Sequence, residues 1–329
     1  MRRVVALVFG TWLGLTGAAA SGGDLRREVV VNGETRIYLE HRPELEQRPV
    51  ADRRAAGRGG AGEDDAERRD AEPMAVVLAF HGSGGRAETF RRSSGLNRVA
   101  DRHGFVVIYP EAGDGRWGTH RRRTGDPSAD LALVDAILDR VAAAPTLDAG
   151  RVFATGMSNG GDFSFLLGLC RPDRINAVAP VAINLSEALV EAVEAQGPVA
   201  VISIVGDRDP LVPYADSRVG PGGDRMLSSA QTLAFWSQVN HAGPGVTRTL
   251  MEDVEDDGTT AVREDYAVGP GGRALTRVTV MGGGHAWPGG SGRAPERMVG
   301  KSSRDFDAGE VIWDFFSQQP RLDVARAAE

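Results

Sequence analysis

From residue 75 onward the chain alternates short β-branched runs with stretches of helical spacing, and this alternation leaves very few folds open. The apolar runs are 75–80, 105–109, 152–155, 178–183, 199–205 and 275–280. Between and after them, 93–103, 129–144, 159–169, 186–195, 227–240 and 305–316 carry apolar residues at helical intervals. Near-continuous apolar strands separated by helices predict a mostly parallel sheet covered on both faces, an α/β architecture. The 329 residues suffice for one large core, and such sheets commonly form one domain at this length. Upstream, 28–31 and 36–40 flank Asn32-Gly33, a strong hairpin signal that predicts antiparallel edge strands. Stretch 247–267 reads either as a strand pair or as an excursion near the site. Residues 42–72 contain no aromatic residue and no isoleucine, and mix charges throughout. They cannot bury enough apolar surface to offset their ordering entropy, so a disordered insertion is expected there.

Composition removes several function classes. A net charge of -7 with no basic stripe argues against a nucleic-acid partner. The first twenty residues read as a secretory signal: Arg2 and Arg3, an apolar stretch over 4–17, then Ala18-Ala19-Ala20. That stretch falls short of the ~20 residues a membrane span needs. The mature chain, 21–329, is therefore expected in the periplasm or medium, free of the membrane. Cys170 is the single cysteine and can form no internal bridge; it reads as a buried helix residue rather than a nucleophile. The six histidines show no metal-ligand spacing, and no nucleotide-binding glycine pattern follows a strand, so neither metal nor cofactor is expected. The oligomeric state is not legible.

Run 152–155 leads directly into Gly156-Met157-Ser158-Asn159-Gly160-Gly161, and a helix follows. This is Gly-x-Ser-x-Gly in the strand–turn–helix setting that a nucleophile elbow requires. The turn is tight enough to need flanking glycines. It presents the Ser158 hydroxyl at the strand's carboxyl end, beside a helix N-terminus whose amides favour a developing oxyanion. Strand 75–80 ends in His81-Gly82-Ser83-Gly84-Gly85, a loop suited to aiming backbone amides at one point. The expected oxyanion donors are the amides of Asn159 and Ser83, with Gly84 as the alternative to Ser83. His81 reads as a structural loop residue.

Chain order in this fold places the acid and then the base after the serine. Of the two later histidines, His285 sits in the glycine-rich stretch 282–290 past a strand, whereas His241 ends a helix. His285 is the expected base. For the acid, Asp207 and Asp209 compete after run 199–205; Asp209 is favoured because Pro210 restricts its backbone to extended forms. Trp117, Tyr214 and Trp287 are candidates for lining an acyl pocket. Activity is expected to fall in mildly acidic solution as an imidazole base takes up a proton.

Taken in order, several segments resemble the polyhydroxybutyrate depolymerase family of esterases, related to feruloyl and acetylxylan esterases. They are His81-Gly82-Ser83-Gly84-Gly85, Gly104 to Pro110, Arg151 to Gly161, Asp209-Pro210-Leu211-Val212-Pro213-Tyr214 and Gly283-Gly284-His285-Ala286-Trp287-Pro288-Gly289. Gly300 to Asp305 and Trp313-Asp314-Phe315-Phe316 resemble the family's closing segment. The resemblance covers roughly 74–317. It implies a single α/β-hydrolase catalytic domain whose triad falls on Ser158, Asp209 and His285, acting on esters through an acyl-enzyme. Family members often carry cysteine where this chain has Ser83 and His241, so a typical family disulfide is absent. No substrate-binding module is recognisable, and small or oligomeric esters are expected rather than bulk polymer. The competing readings are a secreted peptidase on the same scaffold and a catalytically silent binding protein.

Overall fold

A computed structural model describes residues 23–43, 72–215, 217–218, 224–292 and 294–323. The expected leader (1–20) and all but the ends of the 42–72 insertion lie outside these residues. The chain opens with β1 (Gly23–Val31) and β2 (Glu34–Arg42), paired antiparallel. Asn32 (φ 53°) and Gly33 (φ 83°) both adopt positive φ, as the tight turn joining twisted strands demands.

The later strands are β3 (Met74–Phe80), β4 (Val106–Pro110), β5 (Leu147–Met157), β6 (Ala177–Val181) and β7 (Ala200–Gly206). Two short ones, β8 (Ser217–Arg218) and β9 (Arg225–Met226), form a separate ladder. Then come β10 (Ala242–Leu250), β11 (Thr260–Val268) and β12 (Leu275–Met281). The main sheet runs β1-β2-β4-β3-β5-β6-β7-β12-β11-β10. From β4 to β12 in that order every pairing is parallel, and the strands beyond either end pair antiparallel. Stretch 247–267 is thus a strand pair that extends the sheet.

The helices are α1 (Ala87–Ser94), α2 (Leu96–His103), α3 (Ser128–Ala143), α4 (Asn159–Cys170), α5 (Glu187–Ala192), α6 (Ser229–Val239), α7 (Glu296–Val299) and α8 (Ala308–Ser317). The expected helix 93–103 is two helices broken at Gly95. That residue adopts φ 77°, a left-handed conformation that ends α1 before α2 begins. Two-residue periodicity along β3 divides the core. Val76, Leu78 and Phe80 face a layer with Leu133 and Ile137 of α3, Phe163 of α4 and Trp236 of α6. Val77 and Ala79 face Phe90 of α1, Val99 of α2 and Ile312 and Phe316 of α8. Trp313 of α8 stacks on Phe105, ring centroids 4.0 Å apart. Among the described residues no helix is long and apolar enough to cross a membrane.

A buried ion pair fastens the opening hairpin to this frame. Arg36 of β2 donates to Asp130 Oδ1 (2.8 Å) and to the Glu111 carbonyl (3.2 Å), while Asp130 Oδ2 accepts from the Gly118 amide (2.9 Å). One carboxylate at the start of α3 therefore holds an edge strand and the loop after β4. Asp130→Ala would strand a buried guanidinium, and urea denaturation should show a loss of roughly 3–5 kcal/mol. A loss under 1 kcal/mol would mean that water replaces the pair.

Candidate active site

Chain order runs outward from β3 to β4 on one side, and from β5 through β6 and β7 to β12 on the other. The sheet therefore reverses its winding between β3 and β5. Ligands of open α/β sheets bind beyond the strands' carboxyl ends at such a point. Loop 81–85 and the turn at Ser158 meet there: a Cβ built on Gly82 would lie 3.6 Å from Ser158 Cβ.

Ser158 adopts φ 55° and ψ -121°, a conformation that costs a non-glycine residue of order 1–3 kcal/mol. Its surroundings enforce the bend. The Ser158 amide donates to the Val181 carbonyl (2.8 Å), its carbonyl accepts from the Asp162 amide (2.9 Å), and α4 begins at the next residue. A Cβ on Gly160 would fall 2.1 Å from the Phe80 carbonyl oxygen, and one on Gly156 would fall 2.4 Å from the Gly160 carbonyl carbon. Helix, strand and turn thus touch backbone to backbone. The Ser158 side chain is half-buried and does not cap α4, and it is hydrogen-bonded neither to that helix nor to an imidazole.

The Asn159 side chain grips the loop after β4. Its Oδ1 accepts from the Trp117 amide (2.8 Å) and its Nδ2 donates to the Trp117 carbonyl (3.0 Å). Its own backbone amide, at the first position of α4, has no acceptor among the described residues. In the facing loop the Gly84 amide donates to the Gly115 carbonyl (2.8 Å), and the Gly85 amide donates to that of Gly82 (2.9 Å). Gly84 is thereby committed elsewhere, leaving the Ser83 amide as the available donor. His81 is buried behind this loop. Its Nδ1 contacts the Gly82 carbonyl (2.9 Å) and its Nε2 faces the Ala112 amide (3.2 Å), a pattern satisfied by the neutral tautomer with the proton on Nδ1. Burial lowers its pKa and favours the same form.

Asp209 and His285 come together beyond β7 and β12, with Nδ1 2.7 Å from Oδ2 and both residues buried. The other carboxylate oxygen, Oδ1, accepts the amides of Leu211 (2.7 Å) and Val212 (2.8 Å), which holds the carboxylate toward the ring. Asp207 acts elsewhere, since its Oδ1 accepts the Gly282 amide (2.6 Å) and ties its loop to the end of β12. A Cβ on Gly206 would lie 2.4 Å from the Gly283 carbonyl, so these two loops pack through glycine alone. The amides of Gly284 and His285 donate to the carbonyls of Lys301 (2.8 Å) and Val299 (2.5 Å), which fixes the imidazole loop from behind. His241 is exposed at the end of α6, away from this cluster.

The three aromatic candidates are placed differently from one another. Trp117 is fully buried: it stacks on Phe163 (5.1 Å), meets Phe80 edge-on and donates from Nε1 to the His81 carbonyl (3.0 Å). Its ring is enclosed in the core and leaves no surface exposed to a substrate. Trp287 packs edge-on to Phe90 (5.2 Å) and is only 6% exposed, so it too is a core residue. Tyr214 remains half-exposed, with its hydroxyl 3.5 Å from Thr279 Oγ1. A cleft of about 420 Å³ lined by Asp253, Glu255 and Asp256 lies beyond Gly282 and contains none of these groups.

Sequence patterning did not reveal Asp162. This first-turn residue of α4 is fully buried and accepts from Thr119 Oγ1 (2.9 Å) and Arg121 Nη1 (3.3 Å) through Oδ2, while Oδ1 has no hydrogen-bond partner among the described residues. Arg121 also reaches Asp224 (3.3 Å), so one guanidinium serves two acids. Desolvation raises the Asp162 pKa above its ordinary value despite Arg121. Its only sequence signal is an acid inside an otherwise apolar helix.

Comparison with known proteins agrees with this architecture. Residues 67–220 match the family model described as Esterase PHB depolymerase. The inferred esterase NocK of Nocardia uniformis subsp. tsuyamanensis is 32% identical over 301 residues, covering 88% of this chain and 81% of that protein. Feruloyl esterase B of Neurospora crassa is 29% identical over 109 residues, which is 32% of this chain and 37% of that enzyme. Among solved structures, acetyl xylan esterase from Aspergillus awamori aligns with a TM-score of 0.53 at 13% identity, covering 89% of this chain and 99% of that one. That likeness concerns the fold, which is the α/β-hydrolase fold.

The raised Asp162 pKa predicts a pH signature. Above the ordinary value of 3.8 the folded chain retains a proton that the unfolded chain releases, so stability falls as pH rises toward the raised value. Asp162→Asn preserves the shape and removes the titration. Its melting temperature should therefore gain on that of wild type as the pH rises above that ordinary value. Parallel curves would show that Asp162 is ionised in the fold.

Proposed function

The chain belongs to the Esterase PHB depolymerase family and is a carboxylic ester hydrolase, and from this premise we propose that it works through a Ser158-His285-Asp209 triad and an acyl-enzyme. The observation that carries the reading is the buried 2.7 Å contact between His285 Nδ1 and Asp209 Oδ2, at the sheet edge where Ser158 turns. A carboxylate on Nδ1–H leaves Nε2 as the basic nitrogen and stabilises the cation formed when it accepts a proton.

Ser158 Oγ attacks the ester carbonyl carbon as His285 Nε2 takes the hydroxyl proton. The carbonyl oxygen becomes an anion held by the amides of Ser83 and Asn159. Collapse of the tetrahedral intermediate breaks the bond to the alcohol, which leaves with the proton from Nε2. Water then adds to the acyl-enzyme by the same route and releases the acid. The Ser158 hydroxyl is not hydrogen-bonded to the imidazole in this structure; catalytic contacts of this kind often tighten only when substrate is bound. The relatives' names support esters of hydroxybutyrate, ferulate or acetate as substrates, and the leader-like start of the chain supports export.

Hydrolysis of a p-nitrophenyl ester should fall by on the order of 10⁶ in kcat for Ser158→Ala. Equal rates for variant and wild type would remove Ser158 from the mechanism. Asp209→Asn should cost about 10⁴ in kcat, and Asp207→Asn much less; the reverse ranking would transfer the acid's role to Asp207. Comparing hydroxybutyrate oligomers, methyl ferulate and acetylated xylan identifies the acyl group.

A further inference from the structure

Arg116 occupies a singular place beside the proposed oxyanion site. Its two chain neighbours bind the two arms of that site: the Gly115 carbonyl accepts the Gly84 amide (2.8 Å), and the Trp117 backbone is gripped by the Asn159 side chain. The Arg116 side chain itself donates from Nε to Ser83 Oγ (3.0 Å). The guanidinium is therefore moored to the residue whose amide is the proposed oxyanion donor. It is exposed and makes no ion pair among the described residues. Asp114 does not neutralise it, because Asp114 Oδ1 accepts the Arg116 backbone amide (3.1 Å) instead. The buried arginines 36 and 121 are paired with acids, whereas the Arg116 guanidinium, held at Ser83, keeps its terminal nitrogens free for an anion from outside.

On this basis, and resting on the proposed triad, we infer that Arg116 is a specificity residue that binds a carboxylate carried by the ester substrate close to the scissile bond. With Nε committed to Ser83, the terminal nitrogens remain available to a planar anion, for which a guanidinium is better shaped than an ammonium. Mooring to Ser83 limits the rotamer entropy lost when the anion binds. A neutral ester would leave this cation solvated and gain nothing from it.

The test compares two matched substrate pairs. Mono-p-nitrophenyl glutarate against its methyl ester places the charge on the acyl side; 4-acetoxybenzoate against its methyl ester places it on the alcohol side. In wild type the kcat/KM ratio of charged to neutral member should exceed tenfold for one pair, mostly through KM, and should shrink with added salt. In Arg116→Gln that ratio should collapse toward one. Arg208, exposed between Asp207 and Asp209 and also without an ion pair among the described residues, provides the control. Arg208→Gln should retain most of the ratio. Equal collapse in both variants would show a diffuse field rather than a site. Equal loss on charged and neutral members in Arg116→Gln would show that the residue merely braces the loop, and wild-type ratios near one would also overturn the inference. Failure to hydrolyse even the neutral esters would instead sink the triad reading. Calorimetric binding of the charged ester to Ser158→Ala, compared with the Ser158→Ala, Arg116→Gln double variant, tests Arg116 without turnover; equal affinities would overturn it.

Discussion

The backbone of α4 presses against the carbonyl end of β3 with no side chain between them, and the geometry of the site follows from that contact. Gly160 lies so close to Phe80 that a methyl group would fall 2.1 Å from the carbonyl oxygen, and Gly156 is pressed equally hard from within the turn. A chain leaving β5 and entering a helix in so little space must reverse sharply at the intervening residue. Ser158 accepts the strained φ of 55° for that reason. The strain is held by the fully buried apolar side chains of α4, among them Phe163, Phe165, Leu166 and Leu167, which anchor the helix in the core. Packing energy spread over a helix thus fixes the conformation of one residue at its start.

The same economy of side chains appears where the other two loops meet. Glycines 206, 283 and 284 bring the Asp209 and His285 loops together through their backbones, and the two aspartates of 207–209 divide the work. Asp207 holds the loops in register through the Gly282 amide. Asp209 accepts two local amides on one oxygen and keeps the other for the imidazole. Both are hydrogen-bonded carboxylates after the same strand. What separates them is burial and the direction that Pro210 imposes on the residue before it.

The parts legible in the sequence were those written in local rules. Near-continuous apolar runs alternating with helical spacing revealed the parallel sheet, Asn32-Gly33 revealed the opening hairpin, and glycines around Ser158 and His285 marked turns at strand ends. The parts that stayed hidden depend on contacts far apart in the chain. Helix 93–103 looked continuous because a single glycine in a polar helix is tolerated, and the left-handed turn at Gly95 becomes visible only in space. Trp117 and Trp287 were candidates for a substrate pocket because nothing local in the sequence marks an aromatic residue as buried. Their burial comes from Phe163 and Phe90, 46 residues beyond the first and 197 before the second. Arg116 carries no pattern and Asp162 only that of a lone acid in an apolar helix, since being unpaired or desolvated is a property of surroundings rather than of spacing.

Charge is distributed around the site in a way that separates rigidity from choice. Acids and cations that serve the scaffold are buried and matched: Arg36 with Asp130, and Arg121 with Asp224, the same guanidinium also donating to Asp162. A buried charge without its partner would open the loops that carry the reacting groups, so these positions tolerate little variation. The exposed arginines at the strand ends have no such duty, and their solvation makes them inexpensive to exchange. Loop 111–117 joins the two regimes. Its far end is locked by the Trp117–Asn159 clamp and by the amide that Gly118 donates to Asp130, while its middle presents Arg116 to solvent. A substitution there touches neither the elbow nor the Asp209–His285 contact. If Arg116 reads a charge on the substrate as inferred, the loop after β4 is where selectivity would change without loosening the buried anchors of the site.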